Sequence, residues 1–299
     1  MASDKGAGAW PMKRRVTLIG AVLNLGLAVV KILTGWLAQS QALLVDGVHS
    51  LSDLASDMLV LFAARYGSIA ADQNHPYGHA RIETLATLAV GVILLAVAAG
   101  FLFDAVSRLL QARALTVPGQ AALWVALASV LAKEAMYHAT RRVARRTGSS
   151  LMLANAWHHR SDALSSLVVI VGVGGALLGQ AWFDSLAAVI VALMLAWVAW
   201  KLLAGASLEL VDTGLSRKEL DVLGGTIGGV TGVRGFRRLR TRRMGGQVLV
   251  DLQIFVDAQA SVAEADRVAA RVRAALIEQL PGRADVTIGI KPDRYNRRS

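Results

Sequence analysis

Long uncharged stretches separated by short polar connections fill the first two thirds of the chain, and a shorter periodicity takes over from about Leu215. Six apolar segments stand out, at about 16 to 36, 42 to 66, 84 to 108, 121 to 140, 151 to 180 and 184 to 207. A helix needs about 20 mostly apolar residues to cross a hydrocarbon core of about 30 Å. Thr84 to Phe103 and Ser185 to Trp200 come close to or reach that length without a single charge. The fourth segment is the weakest, because its uncharged part ends at Ala132. A pair between Lys133 and Glu134 would let that helix continue to about Arg141.

The periods change after Leu215. Helical spacing is expected from Arg217 to Ile227 and again from Val262 to Leu280, where Val262, Ala265, Val268, Ala269, Val272 and Leu276 share one face. Pro281 and Gly282 end that second helix. Val248, Val250, Leu252, Ile254 and Val256 alternate with polar neighbours as a strand does, and so do Val286, Ile288 and Ile290. With Val233 to Arg243 as a further strand, the order is α-β-β-α-β, an open α+β sandwich. The expected fold class is therefore an all-α six-helix transmembrane domain followed by a small cytoplasmic α+β domain. Residues 1–14 form an N-terminal segment, 15–210 the helical domain and 211–299 the C-terminal domain.

Composition agrees with this picture. Hydrophobic residues make up 55% of the 299 and charged residues only 18%, against about a quarter in soluble domains. The first apolar stretch has no small-residue cleavage pattern behind it, so no removable signal peptide is expected. The net charge of +11 could suit nucleic acid, but the basic residues gather at helix ends and in the final third. There, topology and anionic membrane lipid account for them, and nucleic acid is excluded as a partner. Lys13, Arg14, Arg15, Arg65, Arg81, Arg141, Arg142, Arg145 and Arg146 lie on one side of the six segments, and Arg113 is the only cation close to the other side's loops. Both termini should face the cytoplasm, and an inner (plasma) membrane is the expected location.

The ionisable residues inside the apolar segments carry the chemistry, because charge at membrane depth is costly and needs a partner or a purpose. The second segment holds Asp46, His49, Asp53 and Asp57. His49 and Asp53 are four residues apart and stack on one helical face. His158 and Asp162 repeat that spacing in the fifth segment. Two such helices face to face would offer two imidazoles and two carboxylates, a set suited to tetrahedral zinc and acceptable to cobalt or iron(II). Two carboxylates without a metal would take up protons instead, so metal and protons compete for the same atoms, and metal/proton antiport is expected. Asp46 and Asp57 could line an access path or serve structure. Asn24 and Lys31 read as interhelical glue and a snorkelling cation, and His159 points away from His158.

A second cluster, Asp72, His75 and His79, follows in the connection ADQNHPYGHARIE, where Pro76 and Gly78 bend the chain. Three ligands with water as the fourth could close a metal site there. The chain has no cysteine, so any metal is held by nitrogen and oxygen.

LLVDGVHSLSD, NHPYGHARIE and HHRSD together resemble the cation diffusion facilitators, six-helix metal/proton antiporters with a cytoplasmic C-terminal domain. The resemblance implies a homodimer and a C-terminal fold similar to a metallochaperone. It also implies a transport site at His49, Asp53, His158 and Asp162 and a loop site at Asp72, His75 and His79. A charge interlock at the dimer interface falls on Arg81 and Asp212. Zn2+ is the expected substrate ion, with iron(II), cobalt, manganese and cadmium as alternatives and protons as the coupling ion. In zinc-binding members the C-terminal domain carries histidines where this chain has Arg237, Gln253, Asp266 and Gly289, and from Leu215 onward there is neither His nor Cys. A binuclear zinc site is not expected in that domain. The cluster Arg234, Arg237, Arg238, Arg240, Arg242 and Arg243 could instead meet lipid headgroups or the partner protomer.

Two readings compete with transport. A membrane metal sensor or scaffold would bind the ion without moving it. A metalloenzyme would need an open coordination position and a general base, and no H-E-x-x-H motif is present. No enzymatic activity is expected.

Overall fold

The computed structural model describes residues 9–67, 69, 72–110, 115–147, 150–244, 247–280 and 283–293. Arg113, Pro281 and Gly282 lie outside them, as do the side chains of Lys13, Arg14, Asp57 and Arg65. Six long helices come first: α1 (Ala9–Leu37), α2 (Gln41–Gly67), α3 (Arg81–Leu110), α4 (Gln120–Thr147), α5 (Ser150–Leu177) and α6 (Trp182–Leu210). Then follow α7 (Arg217–Gly229), β1 (Gly235–Met244), β2 (Gln247–Val256), α8 (Val262–Gln279) and β3 (Arg283–Pro292). This is the expected order. By length and composition Arg15–Leu37, Arg81–Leu110, Asn155–Leu177 and Trp182–Leu210 are each apolar enough to cross a membrane. α2 and α4 carry ionisable residues along their length.

The chain divides into two compact units, residues 1–59 with 90–201 and residues 60–89 with 202–299. Small residues let the helices of the first unit approach closely. Its core gathers Ala42, Leu43, Val45, Ala105, Ala122, Ala126, Val169, Val173, Ala188 and Val191. A Cβ on Gly47 would stand 2.8 Å from Ile32 Cγ1 and 2.9 Å from Ile32 N, so α1 and α2 touch only because that side chain is absent. Gly172 meets Ala187 of α6 in the same way. Membrane helices lack a hydrophobic drive toward one another and associate through such close packing. The start of α2 is fastened by Asp184 of α6, which accepts from Ser40 Oγ at 2.7 Å and from Gln41 N at 2.8 Å. A carboxylate there also faces the positive end of the helix dipole.

In the second unit β2 is central, antiparallel to β1 and parallel to β3. Val248, Val250, Leu252, Ile254 and Val256 are all buried, against Leu223 and Ile227 of α7 and Ala265, Val268, Ala269, Val272 and Leu276 of α8. Val262 departs from the expected face: it is 86% exposed, because it stands in the first turn directly after the N-cap Ser261. Ser216 and Ser261 both close capping boxes, with Glu219 and Glu264 respectively. Each pair satisfies two backbone donors that the helix itself leaves free.

Candidate metal centre

α2 and α5 supply the carboxylates and imidazoles. Ligand atoms of Asp53, His158 and Asp162 all lie within 4.8 Å of one another. His158 Nδ1 stands 3.6 Å from Asp162 Oδ1. Asp162 is buried, Asp53 half-buried and His158 exposed. His49, the fourth expected ligand, lies outside that group of three. It is buried one turn before Asp53, and its Nδ1 has no hydrogen-bond partner among the described residues. A buried polar atom without a partner is costly and rare. The orphaned imidazole nitrogen is one that an ion could satisfy. His159 is buried beside Gly20 and does not join the group.

The other oxygen of Asp162 is engaged from α4. Lys133 Nζ donates to Asp162 Oδ2 at 2.7 Å, and Lys133 is 1% exposed. The expected Lys133–Glu134 pair is therefore corrected. Neighbours in sequence point about 100° apart on a helix, and Glu134 turns instead to His138 (3.4 Å) and Arg160 (4.0 Å). The sequence did hold a signal for this contact. A lone lysine inside an apolar helix needs an acid on another helix.

A second buried pair lies nearby. Lys31 Nζ is 2.7 Å from Asp46 Oδ2, with both side chains fully buried. The ammonium also donates to Ser50 Oγ (3.2 Å) and Ser166 Oγ (2.9 Å), while Asp46 accepts from Ser165 and Ser166. Lys31 is thus no snorkelling cation, because an oppositely charged acceptor inside the bundle is nearer than either interface. Asp46 is occupied by structural bonds.

The connection before α3 folds onto itself. Asp72 Oδ1 accepts from Asn74 N (2.9 Å) and His75 N (2.7 Å), an Asx turn that brings His75 Nδ1 to 3.3 Å. Asp72 Oδ2 lies 3.5 Å from His79 Nε2. The two imidazoles stand 4.2 Å apart, and ligand atoms of all three residues lie within 4.8 Å of one another. Gly78, at φ 83°, makes the bend. The backbone N–H of His75 holds the Asp72 carboxyl below its ordinary value, which favours the ionised form a cation needs.

Arg81 Nη2 and Asp212 Oδ1, the expected interlock, pair within one chain at 2.5 Å, and Arg242 Nη1 reaches Asp212 Oδ2 at 3.2 Å. On the sheet, Arg237 is registered opposite Gln253, and Gln253 opposite Gly289. Arg237 Nε donates to Gln253 Oε1 at 3.0 Å. Arg237, Gln253 and Gly289 are therefore adjacent across the three strands, with a guanidinium, an amide and no side chain respectively.

These features define an integral membrane protein with a helical bundle holding a cluster of carboxylates and imidazoles, joined to a small α+β domain. The cation efflux transmembrane domain matches residues 17–211, and the cation efflux protein cytoplasmic domain matches residues 215–293. The chain belongs to the cation efflux family, the cation diffusion facilitators. It is 37% identical over 294 residues to "Metal tolerance protein C1" of Arabidopsis thaliana, an alignment covering 93% of this chain and 62% of that protein. It is 29% identical to "Manganese efflux system protein MneS" of Bacillus subtilis over 88% and 90% of the two chains. "Magnetosome protein MamB" of a Magnetospira strain is 30% identical over 91% and 92%. Among solved structures, a single-substitution variant of the MamM C-terminal domain is 26% identical with TM-score 0.24, covering 25% of this chain and 94% of that one.

Proposed function

We propose that this protein exports a divalent transition-metal cation from the cytoplasm in exchange for protons, by alternating access, as a homodimer in a bacterial inner membrane with both termini cytoplasmic. Residues 15–210 would form the transport domain and 211–299 the dimerising one. The observation that carries the reading is the convergence of Asp53, His158 and Asp162 from α2 and α5, with the unpartnered Nδ1 of His49 one turn away. Two carboxylates neutralise one M2+, and two imidazoles complete a donor set that suits Zn2+. The same atoms take protons when the ion leaves, which couples the two fluxes. Asp72, His75 and His79 would form a second cytoplasmic site, and Arg81 with Asp212 the charge interlock near the dimer interface.

A second reading of the substrate is Mn2+ or Fe2+. The three residues that do converge give two carboxylates to one imidazole, a harder set than two of each, and relatives from Bacillus subtilis are named for manganese efflux. Flux in proteoliposomes, measured metal by metal with and without a pH gradient, tests both readings. Ion movement that is driven by inward protons and lost in Asp162→Ala supports export. Binding without flux would make the protein a sensor or scaffold instead, and flux indifferent to the pH gradient would end the antiport reading.

A further inference from the structure

Among the described residues two lysines are buried in the bundle, and their surroundings differ. Lys31 is fastened to Asp46 and two serines, and Asp46 in turn holds Ser165 and Ser166, a set of bonds complete in itself. Lys133 is bonded at 2.7 Å to Oδ2 of Asp162, the carboxylate that also offers an oxygen within 4.8 Å of ligand atoms of Asp53 and His158. Its ammonium therefore holds an acid on which a cation would be bound. We infer that Lys133 is the resident counter-cation of the transport site: it pairs with Asp162 while no ion is bound, and an arriving divalent cation drives it off that carboxylate. This rests on the reading of Asp53, His158 and Asp162 as ligands.

The physical case is one of charge. Asp53 and Asp162 would carry two negative charges into a medium of low dielectric, where an unpaired carboxylate is expensive. Lys133 offsets one of them. A dication bound through Asp162 would bring two positive charges to within a carboxylate's width of the ammonium, where repulsion is strong, because Lys133 holds Oδ2 of the same carboxyl group whose Oδ1 faces His158. The ion thus binds only as the lysine contact is lost, and Lys133 sets the affinity. It also sets valence selectivity. A monovalent cation replacing the ammonium exchanges one positive charge for one and gains nothing, whereas a divalent ion gains a charge. Once the ion has left, the returning ammonium offsets one of the two carboxylates, and protons taken up by the remaining ligand groups offset the other as the empty carrier resets.

Equilibrium binding of Zn2+ and Mn2+ to the purified full-length protein in nanodiscs, at one fixed pH, tests this with Lys133→Gln, Lys133→Met and Asp162→Ala. Gln keeps a donor for Asp162 and removes the charge. Both lysine variants should bind either ion more tightly than the native chain, by about tenfold or more, and should lose discrimination against Na+. Affinity that is unchanged or weaker in a folded Lys133 variant would overturn the inference. Native binding by Asp162→Ala would overturn the site assignment on which it rests, a separate result. If neither lysine variant folds, labelling of the native protein with an amine-reactive reagent decides. The peptide carrying Lys133 should be modified faster with metal bound than without it, and equal rates would sink the displacement.

Discussion

Lys31 Nζ lies 2.7 Å from Asp46 Oδ2, linking α1 to α2 where neither side chain meets solvent. The two serines of α5 that bond Asp46 make this a three-helix junction. Breaking a buried ion pair by removing one partner leaves an uncompensated charge and costs about 3–5 kcal/mol, whereas replacing both by apolar groups is often neutral or stabilising. Asp46→Ala should accordingly lower the thermal midpoint of the detergent-solubilised protein sharply, and Lys31→Met with Asp46→Leu should restore most of it. Metal affinity of the double variant should stay near native, because Asp46 is not placed among the ligands.

Loss of a ligand should behave differently. Asp53→Ala removes one of three converging groups, and even residues behind the ligands typically change metal affinity by about 10–100-fold. Flux by Asp53→Ala in proteoliposomes should fall by at least about 100-fold while gel filtration still shows the native oligomer. Asp162→Ala should lose flux as well, but with a lower melting temperature, since Lys133 is left buried without its acid.

Close contact between α5 and α6 depends on Gly172, whose missing side chain makes room for Ala187. Gly172→Val would force the helices apart, and overpacking of this kind costs about 1–3 kcal/mol. Cooperative thermal unfolding should shift down by a corresponding amount, and Gly174→Ala, with open space at its Cβ position, should not shift it.

The helix caps of the C-terminal domain give a pH dependence. The backbone N–H of Ser261 donates to Glu264 at 2.8 Å and holds its carboxyl below the ordinary value. The Ser216 bonds do the same for Glu219. A carboxyl depressed in the folded state contributes stability that is present above its unfolded value and is lost as pH falls through its folded value. Both caps should therefore be fully present at neutral pH and weaken only as pH falls below the ordinary glutamate range. Carbon-13 titration of the glutamate carboxyls in the full-length chain reads this directly. Ser261→Ala should cost about 1 kcal/mol at neutral pH and reduce, without removing, the downward shift at Glu264, because the backbone N–H stays.

The α-β-β-α-β order of the C-terminal domain was legible in the sequence because apolar periods of 3.6 and 2 are set by local geometry. Pro281 and Gly282 after Leu280 mark in the sequence where the second of its helices stops. The six long helices were legible for a related reason: a hydrocarbon core selects length and apolarity residue by residue. Spacing alone also placed His49 with Asp53 and His158 with Asp162 on their respective faces.

Partnership across helices was not legible. Which acid Lys133 or Lys31 would reach depends on how α1, α2, α4 and α5 pack, and that packing is decided by small residues such as Gly47 and by buried charges seeking the nearest opposite charge. Sequence neighbours suggested Glu134 for Lys133 and a membrane interface for Lys31, while the folded bundle chose Asp162 and Asp46. It likewise drew Asp53, His158 and Asp162 together and left His49 one turn away. Local pattern was enough to say which elements form and which residues could bind an ion. Which charges meet was left to the packing of the helices, because such contacts join residues far apart along the chain.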